Sequence, residues 1–251
     1  MFVRSLFYHF PCGIPFDLVT LPCRFASSLH LLATLISYGV EYYAMKIRIY
    51  GDKVLAETAK PVEITPELVK LLDEMVPFMR NARGVGLAAP QIGISGRFFV
   101  MDAGDKVRKV INPEIVSFGS NQIEMDEGCL SLPGVHRKVR RPKKINVRYT
   151  SETGEVIEEE LKNLPARVFQ HEFDHLNGTV FTDRLGPIQK KMVSGELERL
   201  RRRSEEGETL SADESYAIRS SESFPDYIKV ASAEDSAKVS EKDSSEPANK
   251  E

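Results

Sequence analysis

The sequence predicts an α+β fold, a single domain of short antiparallel β-sheets packed around a central metal-binding helix, with a C-terminal helix and disordered ends. Three observations carry that expectation. A helical apolar stripe follows Thr65, several short runs of β character come after it, and a second helical pattern ends with two histidines four positions apart.

Taken in order, Thr65 caps and Pro66 opens the first helix. Its Leu68, Leu71, Leu72, Met75, Val76 and Met79 fall on one stripe, the spacing of a core-facing amphipathic helix. Pro77 lacks the N–H that would bond back to Asp73, so a kink or a broken last turn is expected there. The run Gly84-Val85-Gly86-Leu87-Ala88-Ala89-Pro90-Gln91 places two glycines and several small residues around one amide side chain, which lets backbone approach a ligand closely. Strands are expected at Arg97 to Asp102, Val107 to Asn112 and Gln122 to Asp126, then a hairpin from Ile145 to Leu161 turning at Thr153-Gly154. Alternation at Ile145, Val147 and Tyr149 supports a half-buried strand. The central helix is expected over 165–176: Pro165 suits a first turn, and Asn177-Gly178 reads as a left-handed stop.

That helix carries Gln170-His171-Glu172-Phe173-Asp174-His175. Positions i and i+4 share a helix face, so His171 and His175 can bind one divalent ion while Glu172 reaches its bound water. Such a water has its pKa lowered towards neutrality, which gives the carboxylate a proton to take. Two histidines do not complete a site, and no histidine follows His175. Upstream, Glu127-Gly128-Cys129-Leu130-Ser131-Leu132-Pro133 offers Cys129 as a thiolate, although alone it reads as a small buried hydrophobe.

GVGLAAPQ, EGCLSLP and QHEFDHLNG resemble, in order, the three motifs of the bacterial-type, iron-dependent peptide deformylases, metalloenzymes that remove the formyl group from the N-terminal formyl-methionine of new bacterial and organellar proteins. The resemblance runs from about Met45 to about Arg203. It implies that Cys129, His171 and His175 bind the metal, that Glu172 is general base and acid, and that Gln91 with the backbone N–H of Leu130 stabilises the oxyanion. Gly86 and Gly128 would flank the bound peptide, and Val85, Leu130 and Val168 would line the methionine pocket. The implied cofactor is one Fe2+ per chain, with Zn2+, Ni2+ or Co2+ as substitutes. The implied substrates are nascent formyl-Met peptides, and the implied setting is the bacterial cytoplasm or, alternatively, an organelle. Two other functions compete. A zinc-type metallopeptidase should supply its third ligand downstream of the helix motif, and a non-catalytic formyl-peptide binder should have lost Glu172 or a ligand. Neither departure occurs in this sequence.

Charge is unevenly placed. The whole chain carries −3, but residues 204–251 hold 13 acidic and 5 basic side chains. That segment has few large apolar residues, so it reads as a disordered acidic tail, dispensable for the fold. Residues 1–44 read as an N-terminal extension, either a mis-assigned start or a poorly ordered leader, before a catalytic domain at 45–203. His9, Cys12, Cys23 and His30 do not follow a known zinc-finger spacing. No apolar run reaches the length of a membrane span, and a monomer is expected. Seven Lys or Arg lie in 137–148, and 187–203 ends in three arginines. Solvated surface is the default reading of these segments, and contact with the ribosome through backbone phosphates is the functional one.

Overall fold

The computed structural model describes residues 45–220. The expected leader at 1–44, its His and Cys residues, and the tail beyond 220 lie outside the described residues. Strand β1 (Ile47–Arg48) comes first, followed by helix α1 (Pro66–Asn81). Thr65 caps α1, its Oγ1 accepting the Leu68 N–H at 3.3 Å. Leu68, Leu72, Met75 and Met79 are buried as the stripe requires. The last turn is not broken at Pro77: α1 continues to Asn81. Pro77 and Asp73 both lie on the exposed face, where water can satisfy the carbonyl that loses its helical partner.

A five-stranded antiparallel sheet forms the middle layer, with strands β2 (Gly86–Ala88), β3 (Phe98–Asp102), β4 (Val107–Phe118), β7 (Lys144–Thr150) and β8 (Val156–Lys162) in that order across it. Its central residues are apolar on both faces. Phe98 and Val100 pack into the cluster that holds α1, while Phe99 and Met101 pack into the cluster under the central helix α2 (Asn163–His175). Strand β4 runs past the predicted stop at Asn112, because Asn112 and Pro113 fall in an irregularity between Ile111 and Glu114 where β4 moves from pairing with β3 to pairing with β7. The β7–β8 hairpin turns at 151–155 with Gly154 at φ 86°, as predicted.

A separate hairpin pairs β5 (Gln122–Cys129) with β6 (Leu132–Pro142). Strand β6 was not predicted. Its burial does not alternate, and its charges obscure the strand period. Helix α3 (Pro187–Glu205) covers this hairpin, Val193 and Leu200 joining Leu132, Val135 and Val139 in one cluster.

Within the described residues, the segment expected as a disordered tail is ordered as far as Ser220. Beyond 204 the chain ends α3 at Gly207 (φ 84°), forms β9 (Thr209–Leu210) against β1, and begins helix α4 (Ala212–Ser220). Ile47 pairs with Leu210, and Ser211 caps α4 reciprocally with Glu214. Charge composition concealed this strand because two residues suffice to make it and one, Leu210, supplies its buried contact.

Candidate active site

Helix α2 is anchored through Ala166, Val168 and Phe169, the last edge-on to Phe99 with ring centroids 5.1 Å apart. The expected stop is present: Gly178 (φ 66°) donates to the His175 carbonyl at 3.2 Å, and a Cβ there would meet the Ala56 carbonyl oxygen at 2.5 Å. So held, α2 turns His171 and His175 towards the end of β5, where the hairpin register slips between Gly128 and Cys129. Irregularities of this kind re-aim a side chain. Cys129 Sγ lies 3.1 Å from His175 Nε2, and the donor atoms of Cys129, His171 and His175 lie within 4.8 Å of one another. All three residues are buried.

Beneath this trio lies a buried ionic network. Glu127 shares the strand face of Cys129, two positions away, and its Oε2 sits 2.9 Å from His171 Nδ1. That contact fixes the ring and leaves Nε2 for an ion. Arg141 on β6 donates to both Glu127 oxygens at 2.6 and 2.8 Å and to Asp174 Oδ2 at 2.6 Å. Arg167 donates to Glu127 Oε1 at 2.7 Å and to the Val139 and Ile123 carbonyls. Arg184 grips both oxygens of Asp174. Burial alone would raise the Glu127 carboxyl, but the hydrogen bonds of Arg141 and His171 hold it well below the usual carboxylate range. Burial likewise opposes a Cys129 thiolate, yet the adjacent His175 and His171 pull the thiol well below its ordinary value. A thiolate with two imidazoles is a donor set suited to one divalent transition metal, and three protein ligands leave a position open.

Glu172 borders an open cleft together with Val85, Gly86, Gln91, Leu130, Val168 and His171 among others. Its Oε2 is buried without a hydrogen-bond partner. Burial pushes its pKa up to about 7, with His171 and His175 partly opposing. The Gln91 amide is fixed at both ends: Oε1 accepts the Ala88 N–H at 2.8 Å, and Nε2 donates to Cys129 Sγ at 3.4 Å. Every residue predicted for the site except His175 borders the cleft, and His175 is buried beside Cys129 within the trio.

The two glycines have a more specific reason than flanking a peptide. A Cβ on Gly86 would lie 2.2 Å from Glu172 Oε1, and one on Gly128 would lie 2.3 Å from His136 Nδ1 across the hairpin. Gly86 therefore makes room for the carboxylate. Glu127, Arg141, Arg167 and Asp174 were missed. The available signals were strand spacing, which puts Glu127 beside Cys129, and helix spacing, which puts Arg167 four residues before His171 on the same face.

A buried Cys/His/His donor set with an open side, an adjacent carboxylate of raised pKa and a fixed amide donor defines a metal-dependent hydrolase. The sequence matches the family described as polypeptide deformylase over residues 44–191, and the chain belongs to that family. It removes the formyl group from the N-terminal formyl-methionine of newly synthesised proteins, releasing formate. It is 47% identical over 153 residues to the peptide deformylase of Thermotoga maritima, covering 61% of this chain and 93% of that protein. Against the crystal structure of that enzyme the TM-score is 0.56 at 49% identity, covering 58% of this chain and all of that one. Peptide deformylase 1B of Arabidopsis thaliana, in complex with an inhibitor, gives a TM-score of 0.62 at 36% identity, covering 65% and 93%.

Proposed function

We propose that Cys129, His171 and His175 hold one divalent ion per chain, Fe2+ by the family resemblance, with Zn2+, Ni2+ or Co2+ able to occupy the same site. The observation that carries this reading is the closeness of the three donor atoms beside a buried carboxylate with an unpartnered oxygen. An ion there supplies Lewis acidity and lowers the pKa of a water. Glu172, its unpartnered Oε2 buried beside the trio, accepts a proton from the attacking water and passes it to the departing amine as the formyl C–N bond breaks. Gln91 keeps one Nε2 hydrogen towards Cys129 and presents the other to the formyl oxygen, where the Leu130 N–H is the second donor. Both are fixed before the oxyanion forms.

Selectivity for methionine is assigned to the apolar wall of the cleft, Val85, Leu130 and Val168, to which Leu164 is added. Filling such a pocket favours formyl-Met over formyl-Ala tripeptides by roughly 10- to several-hundred-fold in kcat/KM. The peptide runs beside Gly86 and Gly128. The decisive assay is formate release from formyl-Met-Ala-Ser by anaerobically purified protein of measured metal content. Release in proportion to bound metal supports the reading, and cleavage of internal peptide bonds without formate replaces it with a peptidase.

The cell compartment we assign is the bacterial cytoplasm, with an organelle as the alternative, and the state we assign is a monomer. Bacterial relatives support the first, and among the described residues no helix is long and apolar enough to cross a membrane. Ribosome contact through 137–148 and 187–203 has a smaller cationic surface than the sequence suggests. Arg141 is buried in the network, Arg137, Lys144 and Arg148 are ion-paired, and Arg201, Arg202 and Arg203 each have a glutamate.

A further inference from the structure

The segment after residue 205 lies outside the family match, yet it is tied to both halves of the oxyanion side. Strand β9 pairs with β1, and β1 lies against the turn Ala89–Ile92 that carries Gln91. Arg48, on β1, crosses Gly93 at the end of that turn so closely that a Cβ on Gly93 would meet Arg48 Nε at 2.8 Å. Two residues beyond β1, the Tyr50 N–H donates to the Ser131 carbonyl at 2.8 Å, holding the turn that presents Leu130. Leu210 is buried in the same apolar cluster as Ile47, Ile49, Leu87, Ala89 and Leu130. The α3–β9 corner is set by Arg203, which donates to Glu208 at 2.7 and 2.5 Å, and by the positive φ of Gly207.

We propose that the segment 207–215, acting through Leu210, is a positioning element for the oxyanion donors. β9 fixes β1, and β1 with Tyr50 fixes the Gln91 turn and the Leu130–Ser131 turn relative to each other. The two donors lie in the turns that follow strands of different sheets, β2 and β5, and β1 with Tyr50 contacts both turns. This rests on the assignment of Gln91 and Leu130 to the oxyanion. It makes the acidic end of the described chain part of the catalytic apparatus. Leu210 touches no reacting atom, so its effect must pass through those donors.

The test uses the full chain. Leu210→Ala should lower kcat by about 10-fold, within the loss that small misplacements cause, while KM and bound metal stay within about twofold. Leu210→Ile should restore most of it. In a Gln91→Ala background the same Leu210→Ala change should cost less than about twofold, because the placement of the two donors relative to each other no longer matters once one is gone. A plain core role would lower the melting temperature and leave this coupling absent. The proposal is overturned if kcat is unchanged, if the loss is the same in both backgrounds, or if it tracks lost metal. Should Leu210→Ala fail to fold, Leu210→Val carries the same comparison. Wild-type protein that releases no formate would instead overturn the functional reading beneath it.

Discussion

Glu127 and Glu172 are buried to nearly the same extent, 5% and 3% exposed, and both lie beside His171, yet their acidities move in opposite directions. Glu127 accepts from Arg141, Arg167 and His171 and is held ionised. Glu172 has an unpartnered oxygen and a pKa near 7. Partners, not depth, decide the state of a buried carboxylate. On the proposed reading the two divide the work: Glu127 would be the fixed charge that orients His171, and Glu172 the group that exchanges a proton.

The largest effect should come from removing the exchanging member. Glu172→Gln keeps Cys129, His171 and His175, so metal content should hold while formate release falls by about 10³-fold or more. Near-normal turnover would dissolve the contrast. Removing the fixed member should do the reverse. Glu127→Gln leaves Arg141 and Arg167 short of a buried counter-charge, costing about 3–5 kcal/mol in chemical denaturation, and frees the His171 ring, weakening metal affinity about 10- to 100-fold. A stable, fully metal-binding variant would show that the network is ornamental.

The pH dependence of the metal-free protein sharpens the comparison. A raised folded pKa means that the native state binds more protons than the unfolded state between 4.5 and about 7, so the Glu172 contribution falls as pH rises through that window. The loss should be on the order of 3 kcal/mol and absent from Glu172→Gln. Glu127 has the opposite sign: its contribution is present above 4.5 and is lost only as pH falls through its depressed folded value. Denaturant titrations of wild type and Glu172→Gln across pH 4 to 8 check this, and parallel curves would refute it. The smallest effect is steric. Gly86→Ala should displace Glu172 and lower kcat by about 10²-fold with metal retained, and full activity would mean that the carboxylate has room to yield.

How much of this could be read from the sequence depends on how far apart the partners lie. His171 and His175 are neighbours on one helix face, and Thr65, Pro66 and the α1 stripe are local, so helix spacing disclosed them. Cys129 was recognised through the motif around it, because a thiol in a strand has no spacing signature of its own. Glu127 was hidden. Its partners Arg141 and Arg167 are 14 and 40 residues away, and charged residues in sequence read first as surface. The same bias turned the charge run of 137–148 into expected surface and concealed β6. It also turned Leu210 into tail, since one buried leucine among acids carries no period.

The pairing of β1 with β9 has a consequence for how the molecule is made. It joins almost the first described residues to 209–210, the longest-range strand contact in the described chain. During synthesis from the N-terminus, the sheet, the β5–β6 hairpin and α2 can all form before Leu210 exists, but β1 has no strand partner until then. Each new copy therefore passes through an interval with Cys129, His171 and His175 assembled and β1 unpaired. An exposed edge of that kind is a site for chaperone binding or mispairing, and it closes only when residue 210 has cleared the ribosome.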